Sequence, residues 1–355
     1  MKIKDIRYRK YTIRIPKPLV LAQGIMEYCV SVLVCVETDT GLIGWGEAAP
    51  DLDVTGENQQ SVMAALDLFR PALIGFDPLC IAGAHNIMNS ICIANPSAKA
   101  SVDMALYDII GKASGQPVWK LLGGFRNEIR SDMTIGFGTE KEMAEEAKSY
   151  ASLVFETLKV KTGMGFEPDV NGLHAIREAV GEKMRIRIDA NEAWNPAEAV
   201  KTLRALETFD ILEVEQPVPA WDIEGLAHVR RHSSIPVMAD ESLHAPYDAL
   251  RLVQAGAVDR FNIKLMKCGG IYPAMQILAV ARAANIGCIV GCMMETSLGI
   301  AASAAVCCAS PMVTDCDLDS FLMFDTPEIV SAASFLGGGR IQLSEEPGLG
   351  ISVGL

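Results

Sequence analysis

The sequence has little of what many functional classes require. It holds five histidines in 355 residues, none in an HxH or HExxH spacing, so a histidine-rich zinc site is not supported. Its ten cysteines contain no CxxC pair. They sit in apolar contexts such as SVLVCVE and AAVCCAS, where reduced, buried thiols of a cytoplasmic protein are expected. There is no Lys/Arg-rich run and the net charge is −13. A phosphate-binding face needs clustered cations, so nucleic acid is not an expected partner. The opening MKIKDIRYRKYTIRI alternates charged and apolar residues and lacks the apolar core of a signal peptide. The most apolar stretch, 286–309, is broken by Glu295 and by Gly287, Gly291 and Gly299. It reads as a strand and a buried helix, and no membrane partner is expected. A homo-oligomer is compatible with the sequence.

Half of the residues are hydrophobic and the length exceeds that of one ordinary domain, which favours a large domain with a smaller companion. Residues 2–15 and 29–48 alternate like strands, with Gly41 at a hairpin. Helical periodicity follows over 57–73 and 97–114, and Gly123-Gly124 ends this α+β segment. From about residue 130 short apolar, β-branched runs alternate with helices. The runs are Met133–Gly136, Thr157–Val160, Ile186–Ile188, Ile211–Val214, Val237–Ala239, Phe261–Ile263, Cys288–Val290 and Met312–Thr314. Eight such runs predict an α/β fold, a (β/α)8-type barrel of the modified TIM kind with an α+β capping domain. The expected division is 1–125 for the capping domain, 126–320 for the barrel, and 321–355 for a segment returning to the capping domain. The glycines at 337–339 predict a turn, because no strand-turn-helix context surrounds them.

The runs end in ionisable residues at a steady interval. Strand two ends in Lys159-Val160-Lys161, strand three in Asp189, strand four in Glu215, strand five in Asp240, strand six in Lys264, strand seven in Gly291 and strand eight in Asp317. Successive positions from Lys161 are 24 to 28 residues apart, the length of one βα unit. A single Asp after a strand is ordinarily a helix cap or a solvated turn. Capping does not call for lysine, glutamate and alternating sign in phase. Charges at the carboxyl ends of barrel strands converge on the active-site mouth.

Asp189, Glu215 and Asp240 stand on adjacent strands, and three carboxylates aimed at one spot need a cation. An all-oxygen donor set selects a hard one, Mg²⁺ or Mn²⁺. Glu241 follows Asp240 and, by strand alternation, points the other way, as support for the ligands. Strands two and six of eight are diametrically opposed, so Lys161 and Lys264 face each other across the mouth. Lys159 shares the face of Lys161. A neighbouring ammonium and a nearby cation disfavour protonation, which predicts a depressed pKa for Lys161 and a role as base.

The segments KVK at 159–161, DAN at 189–191, EQP at 215–217, ADES at 239–242 and NIKLMKCGG at 262–270 resemble the enolase superfamily, muconate-lactonizing subgroup. The resemblance spans nearly the whole chain, including AKASVDMALYDIIGK at 98–112. It implies one Mg²⁺ per subunit, with Mn²⁺ the alternative, and a lysine base working against an ene-diolate stabilised by the metal. The histidine that the mandelate racemase subgroup carries after strand seven is replaced by Gly291. The pair Asp317 and Asp319 resembles the strand-eight motif of the dipeptide epimerases, where it binds the substrate's α-ammonium. Asp315 offers a second DxD register. Thr134, Asn191, Glu295 and Asp51 complete the expected substrate-binding set.

The leading expectation is therefore a cytoplasmic Mg²⁺-dependent isomerase that epimerises the C-terminal residue of a dipeptide. Other two-lysine activities on the same barrel are N-acylamino acid racemase, o-succinylbenzoate synthase and muconate cycloisomerase. Their substrates lack a free ammonium for the Asp pair. A Schiff-base aldolase would leave the three metal-type carboxylates without a task, and a binding protein would have no use for two opposed bases. Loops near 18–28 and 50–56 are expected to close over the mouth. They carry Glu27, Asp51 and Asp53, and the segment LVLAQGIMEYC has no Lys or Arg. Such a lid disfavours an acidic side chain and favours a hydrophobic or basic one.

Overall fold

The computed structural model describes residues 1–21 and 24–354. Ala22 and Gln23, inside the expected lid segment 18–28, and the terminal Leu355 lie outside the described residues. The N-terminal sheet is an antiparallel meander of Ile3–Leu21, Gly24–Thr38 and Ile43–Ala48. It is longer at the first hairpin than the alternation at 2–15 suggests, because the pairing continues to Leu21↔Gly24 past an irregularity after Arg14.

Helices Gln59–Leu73 and Pro96–Ser114 cover this sheet, and Ile81–Ile91 packs against those two helices. The middle one in chain order was not expected, although Ile81, Ala84, Ile87, Met88 and Ile91 recur on one face. The third can approach closely because both surfaces are bare. A Cβ on Gly46 would stand 1.8 Å from the Ser101 carbonyl, and one on Gly44 2.0 Å from that of Ala105. Glycine is required here by close approach, with ordinary backbone angles.

The barrel is an eight-stranded parallel sheet in sequential order: Met133–Ile135, Thr157–Lys161, Arg185–Asp189, Ile211–Glu215, Val237–Ala239, Arg260–Lys264, Gly287–Gly291 and Val313–Asp317, called strands one to eight below. A single bridge, Ser131↔Cys316, brings strand eight beside the start of strand one and nearly closes the barrel. Seven of the strands lead into helices that wrap the outside. Strand eight instead enters the one-turn helix Ser320–Leu322. The chain then forms short hairpin strands, in which the glycines at 337–339 are the turn between Ser334–Leu336 and Arg340–Gln342.

Two buried acids lock the layers together. Glu47, from the N-terminal sheet, accepts hydrogen bonds from the Thr296 and Gly299 amides at the start of the barrel helix Ser297–Ala309. An anion suits that end of a helix. Asp103 accepts from the Tyr272 amide at 3.2 Å and from His85 Nε2 at 2.7 Å. The last residues also return to the N-terminal layer: the Leu349 amide donates to Asp108 at 2.9 Å. None of the described helices is long and apolar enough to cross a membrane.

Candidate active site

At the carboxyl ends of the strands lies a cavity of about 390 Å³, roofed by the N-terminal hairpin and the loop around residues 51–54. That size suits a small molecule. Lys159, Lys161, Lys264, Asp317, Asp319 and Thr134 line it, as do Asn191, Glu241 and Asp51. Asp189, Glu215 and Asp240 lie just beneath, each fully buried. Strands two and six stand four places apart in the sheet, so Lys161 and Lys264 approach the cavity from opposite walls.

The ionic contacts are dense. Lys159 Nζ lies 2.9 Å from Asp189, 3.0 Å from Glu215 and 2.7 Å from Asp317. One lysine thus reaches the carboxylates of strands three, four and eight. Lys161 Nζ contacts Asp189 at 2.7 Å and donates to Asn191 Oδ1 at 2.8 Å. Its immediate neighbour is therefore an anion as well as the ammonium of Lys159. Asp240 is held by Lys264 at 2.8 Å and by Lys267, whose ammonium reaches both its side chain and its carbonyl.

Burial penalises every charge here, and the neighbours decide which stay charged. For Asp189 the two lysines outweigh burial and hold the carboxyl well below its usual range. For Glu215 burial, reinforced by Asp189, pushes the carboxyl up to about 7. Burial and then Asp240 push Glu241 up to about 8. Burial alone would lower Lys159, but Asp189, Asp317 and Glu215 together hold it well above the normal lysine value. On Lys264 Asp240 likewise overrides burial and raises it.

The residues fit a hard divalent cation. Asp189, Glu215 and Asp240 offer only oxygen, on three consecutive strands. Among the described residues Glu215 Oε2 is buried and accepts no aligned hydrogen bond, with Lys159 Nζ 3.0 Å away, while Oε1 takes one from Asn262 Nδ2 at 2.8 Å. Among the described residues, however, the one acidic group whose ligand oxygens all lie within 4.8 Å of one another is Asp132, Asp317 and Asp319. That group is already flanked by Lys159 on Asp317 and by the Arg187 guanidinium 2.8 Å from Asp132. Asp319 is in turn engaged by the backbone amide and the side chain of Thr134.

Two expectations need correction. Glu295 is fully buried and does not line the cavity: its Oε1 accepts from the Met293 amide at 2.9 Å, and it stands behind the wall that Met293 and Met294 form. Glu241 does not point away. Strand five ends at Ala239, so strand alternation no longer applies at 240–241, and Glu241 faces the cavity while accepting from Asn191 Nδ2 at 2.9 Å. Asp51 does line the cavity, with its Oδ1 committed to the Asp53 and Val54 amides at 2.8 and 3.1 Å. Of the two DxD registers, Asp317 and Asp319 line the cavity and Asp315 is not among its lining residues. Strand eight is Val313–Asp317, so Asp315 faces inward one layer below Asp317 and contacts Arg187 and Arg260. Asp319 follows the strand end and accepts from the Thr134 amide at 2.8 Å.

Some contributors were not legible. Lys267 fixes Asp240, and Gln216 Oε1 accepts from the Asp240 and Ser242 amides at 3.0 and 3.1 Å. Asn191 and Gln216 sit at φ +40° and +34°, a strained backbone that non-glycine residues accept chiefly where neighbours enforce it. Gly291 makes room for Asn262, since a Cβ there would come within 2.6 Å of its Oδ1.

Comparison with known proteins places this geometry in context. Residues 4–123 match the model of the mandelate racemase / muconate lactonizing enzyme N-terminal domain, and 142–354 match the enolase C-terminal domain-like model. A hydrophobic dipeptide epimerase of Enterococcus faecalis is 41% identical over 99% of this chain and 100% of its own length. An L-Ala-D/L-Glu epimerase of Clostridium acetobutylicum is 38% identical over 99% of both chains. The crystal structure of the dipeptide epimerase from Enterococcus faecalis V583 complexed with Mg and the dipeptide L-Leu-L-Tyr superposes with a TM-score of 0.97, at 41% identity, covering 99% of this chain and 100% of that one.

Proposed function

The chain belongs to the enolase superfamily, in its mandelate racemase and muconate lactonizing enzyme group, and on that premise we propose that it epimerises dipeptides at the α-carbon of their C-terminal residue. The observation that carries the reading is one cavity with a lysine on each opposite wall, buried carboxylates beneath, and an Asp pair beside them. In this reading a Mg²⁺ ion held by Asp189, Glu215 and Asp240 would stabilise the negative charge developing on the substrate's carboxylate. Mn²⁺, which takes the same all-oxygen donors, would substitute for Mg²⁺ there.

Lys159 adds a fixed ammonium beside that carboxylate. Lys161, as a neutral amine, takes the α-proton from one face, and Lys264, as an ammonium, delivers a proton to the other. The reverse direction exchanges their roles. Asp317 and Asp319 hold the α-ammonium, and Thr134 orients Asp319. Asn191 and Glu241 position the lysine and ligand side chains they touch. The division of labour follows the chain: 1–125 supplies the roof, 126–320 the chemistry, and 321–355 ties the two together. Among the described residues all ten cysteines are free, which suits the cytoplasm as the proposed location.

The ammonium site separates this activity from racemisation of N-acylated amino acids. Asp317→Asn and Asp319→Asn are each expected to raise KM for dipeptides about tenfold or more, since each removes a charge-assisted contact. N-acetylating the dipeptide should weaken it comparably. A wild-type enzyme that prefers N-acylated amino acids would overturn the dipeptide reading.

The cavity also bears on the second side chain. Met26, Met293, Met294, Ile25 and Val54 give it an adaptable apolar wall, with Asp51, Asp53 and Glu27 at the roof. We propose a hydrophobic or basic C-terminal residue. L-Ala-L-Leu is expected to exceed L-Ala-L-Glu in kcat/KM by about tenfold, the scale of one mismatched side chain in a pocket. Steady-state kinetics over a small dipeptide panel decides it. A marked preference for the Glu dipeptide would refute this assignment of the wall and leave the barrel chemistry intact.

A further inference from the structure

The cavity described above adjoins a second, larger one. This annex holds about 800 Å³ and shares Leu19, Thr134 and Met323 with the first. Its other walls are the segment 16–20, the loop after strand one and the helix Glu140–Ser152. The shared boundary lies beside the Asp pair, because the Thr134 amide donates to Asp319 at 2.8 Å. The first strand of the N-terminal sheet is braced there. The Phe137 amide donates to the Val20 carbonyl at 3.0 Å, and a Cβ on Gly136 would stand 2.9 Å from Leu19 Cδ1.

The walls change character away from the Asp pair. Leu19 and Met323 make the boundary apolar. Beyond it Glu142, Glu145 and Glu146 line the annex, and none of the three lines the first cavity. They stand three and four residues apart on one helix, with Ser149 one turn further, and so share a face. Among the described residues Lys17 is the one lysine or arginine on this wall. Its Nζ lies 2.6 Å from Glu146, which also accepts from the Tyr150 hydroxyl at 2.6 Å. Glu142 Oε2 accepts from the Thr139 amide and hydroxyl, each at 2.8 Å, at the start of the helix. Glu145 is exposed, and its ionic contact is Lys141, 3.8 Å away and off the wall. Three carboxylates thus face one lysine.

We infer that the annex receives the N-terminal side chain of the dipeptide and selects a long cationic one, lysine or arginine, over an acidic one. This rests on the dipeptide reading. With the α-ammonium at Asp317 and Asp319, the side chain on the same carbon starts beside Thr134, where the two cavities meet. A lysine or arginine matches the graded wall: its methylene stem lies along Leu19 and Met323, and its charged end reaches the acids. A glutamate would bring its carboxylate against three others. An alanine methyl is too short to reach the helix, so L-Ala-L-Leu is the reference substrate.

The test measures α-proton exchange at the leucine of L-Ala-L-Leu, L-Lys-L-Leu and L-Glu-L-Leu in D₂O with Mg²⁺ present. In wild type kcat/KM for the Lys dipeptide should exceed that for the Glu dipeptide by at least about fivefold, and high salt should narrow the ratio because the acids stand near solvent. Glu145→Lys should cut the ratio by at least about threefold, the scale of an exposed charge reversed. Ser149→Trp, which fills the annex from the same helix face, should lower the Lys dipeptide relative to L-Ala-L-Leu. A merely structural role for the helix would lower all three substrates together. If Glu145→Lys does not fold, as judged by circular dichroism, Glu145→Gln is read instead and should move the ratio in the same direction. A smaller wild-type ratio, or a smaller response in the folded variant, overturns the inference while L-Ala-L-Leu is still turned over. Wild-type protein that exchanges none of the three, nor any other dipeptide, would remove the reading on which the inference rests, a failure visible before any variant is made.

Discussion

Lys161→Ala and Lys264→Ala are each expected to lose epimerisation by at least about 10²–10⁴-fold, the usual contribution of one positioned acid or base. Neither loss should come from unfolding. When Lys264 is removed Asp240 keeps Lys267, and when Lys161 is removed Asp189 keeps Lys159. Neither change leaves a buried carboxylate without a cation, which is the costly outcome. Each variant keeps one base, so each should still exchange the α-proton of one epimer with solvent. The retained epimer should differ between the two variants. Proton NMR in D₂O, run separately from the L,L and L,D dipeptides, reads this directly. A single lysine variant that interconverts the epimers at the wild-type rate would exclude the two-base scheme.

Removal of the divalent cation should have an effect of similar size. Excess chelator is expected to abolish activity and added Mg²⁺ to restore it. Asp189→Asn, Glu215→Gln and Asp240→Asn should each lose activity by at least about 10³-fold, because the metal supplies several kcal/mol of charge stabilisation. Stability provides a second readout. A ligand at a hundred times its Kd stabilises the folded chain by about 2.7 kcal/mol. Mg²⁺ should therefore raise the Tm of the wild type and leave that of Asp189→Asn nearly unchanged. Full activity in chelator would reject the assignment, and a Tm response lost only on substituting Asp317 or Asp319 would move the ion to the other acidic cluster.

How much of this was legible depends on where each residue's signal lies. The barrel could be read because a buried strand is a short apolar run, and a charge that interrupts the pattern at its end is conspicuous. Lys161, Asp189, Glu215, Asp240 and Lys264 were found that way. The apolar run of the eighth strand was read at 312–314 and its end at Asp317, whereas the strand itself is Val313–Asp317, because Asp315 in VTDCD points into the barrel instead of to solvent. The same inversion hid Arg187, a charged residue two before Asp189 on one inward face, and with it the layer that includes Asp132. RIRID carries that signal, and period-two reading of the strand would have found it.

Other contributors carry no local signal. Lys267 and Gln216 act on Asp240 through tertiary contacts, and Glu47 caps a helix about 250 residues away in sequence. The first helix of the capping layer was readable from its apolar periodicity, and in the structure Asn58 caps it with Ser61 in return. Ile81–Ile91 has no side-chain cap and no acidic first turn, so its start is unmarked. Glu295 was misassigned because sequence places a residue near a strand end without saying whether it lies on the wall of the cavity or behind it.

The most direct test of the central claim is the position and fate of one hydrogen. Enzyme, Mg²⁺ and L-Ala-L-Leu in D₂O should yield L-Ala-D-Leu, with a single deuterium at the α-carbon of the leucine and none at the alanine, as read by chiral chromatography with mass spectrometry. Epimer formed without deuterium in the product, deuterium at the N-terminal residue, or no exchange in any dipeptide tried would contradict the account.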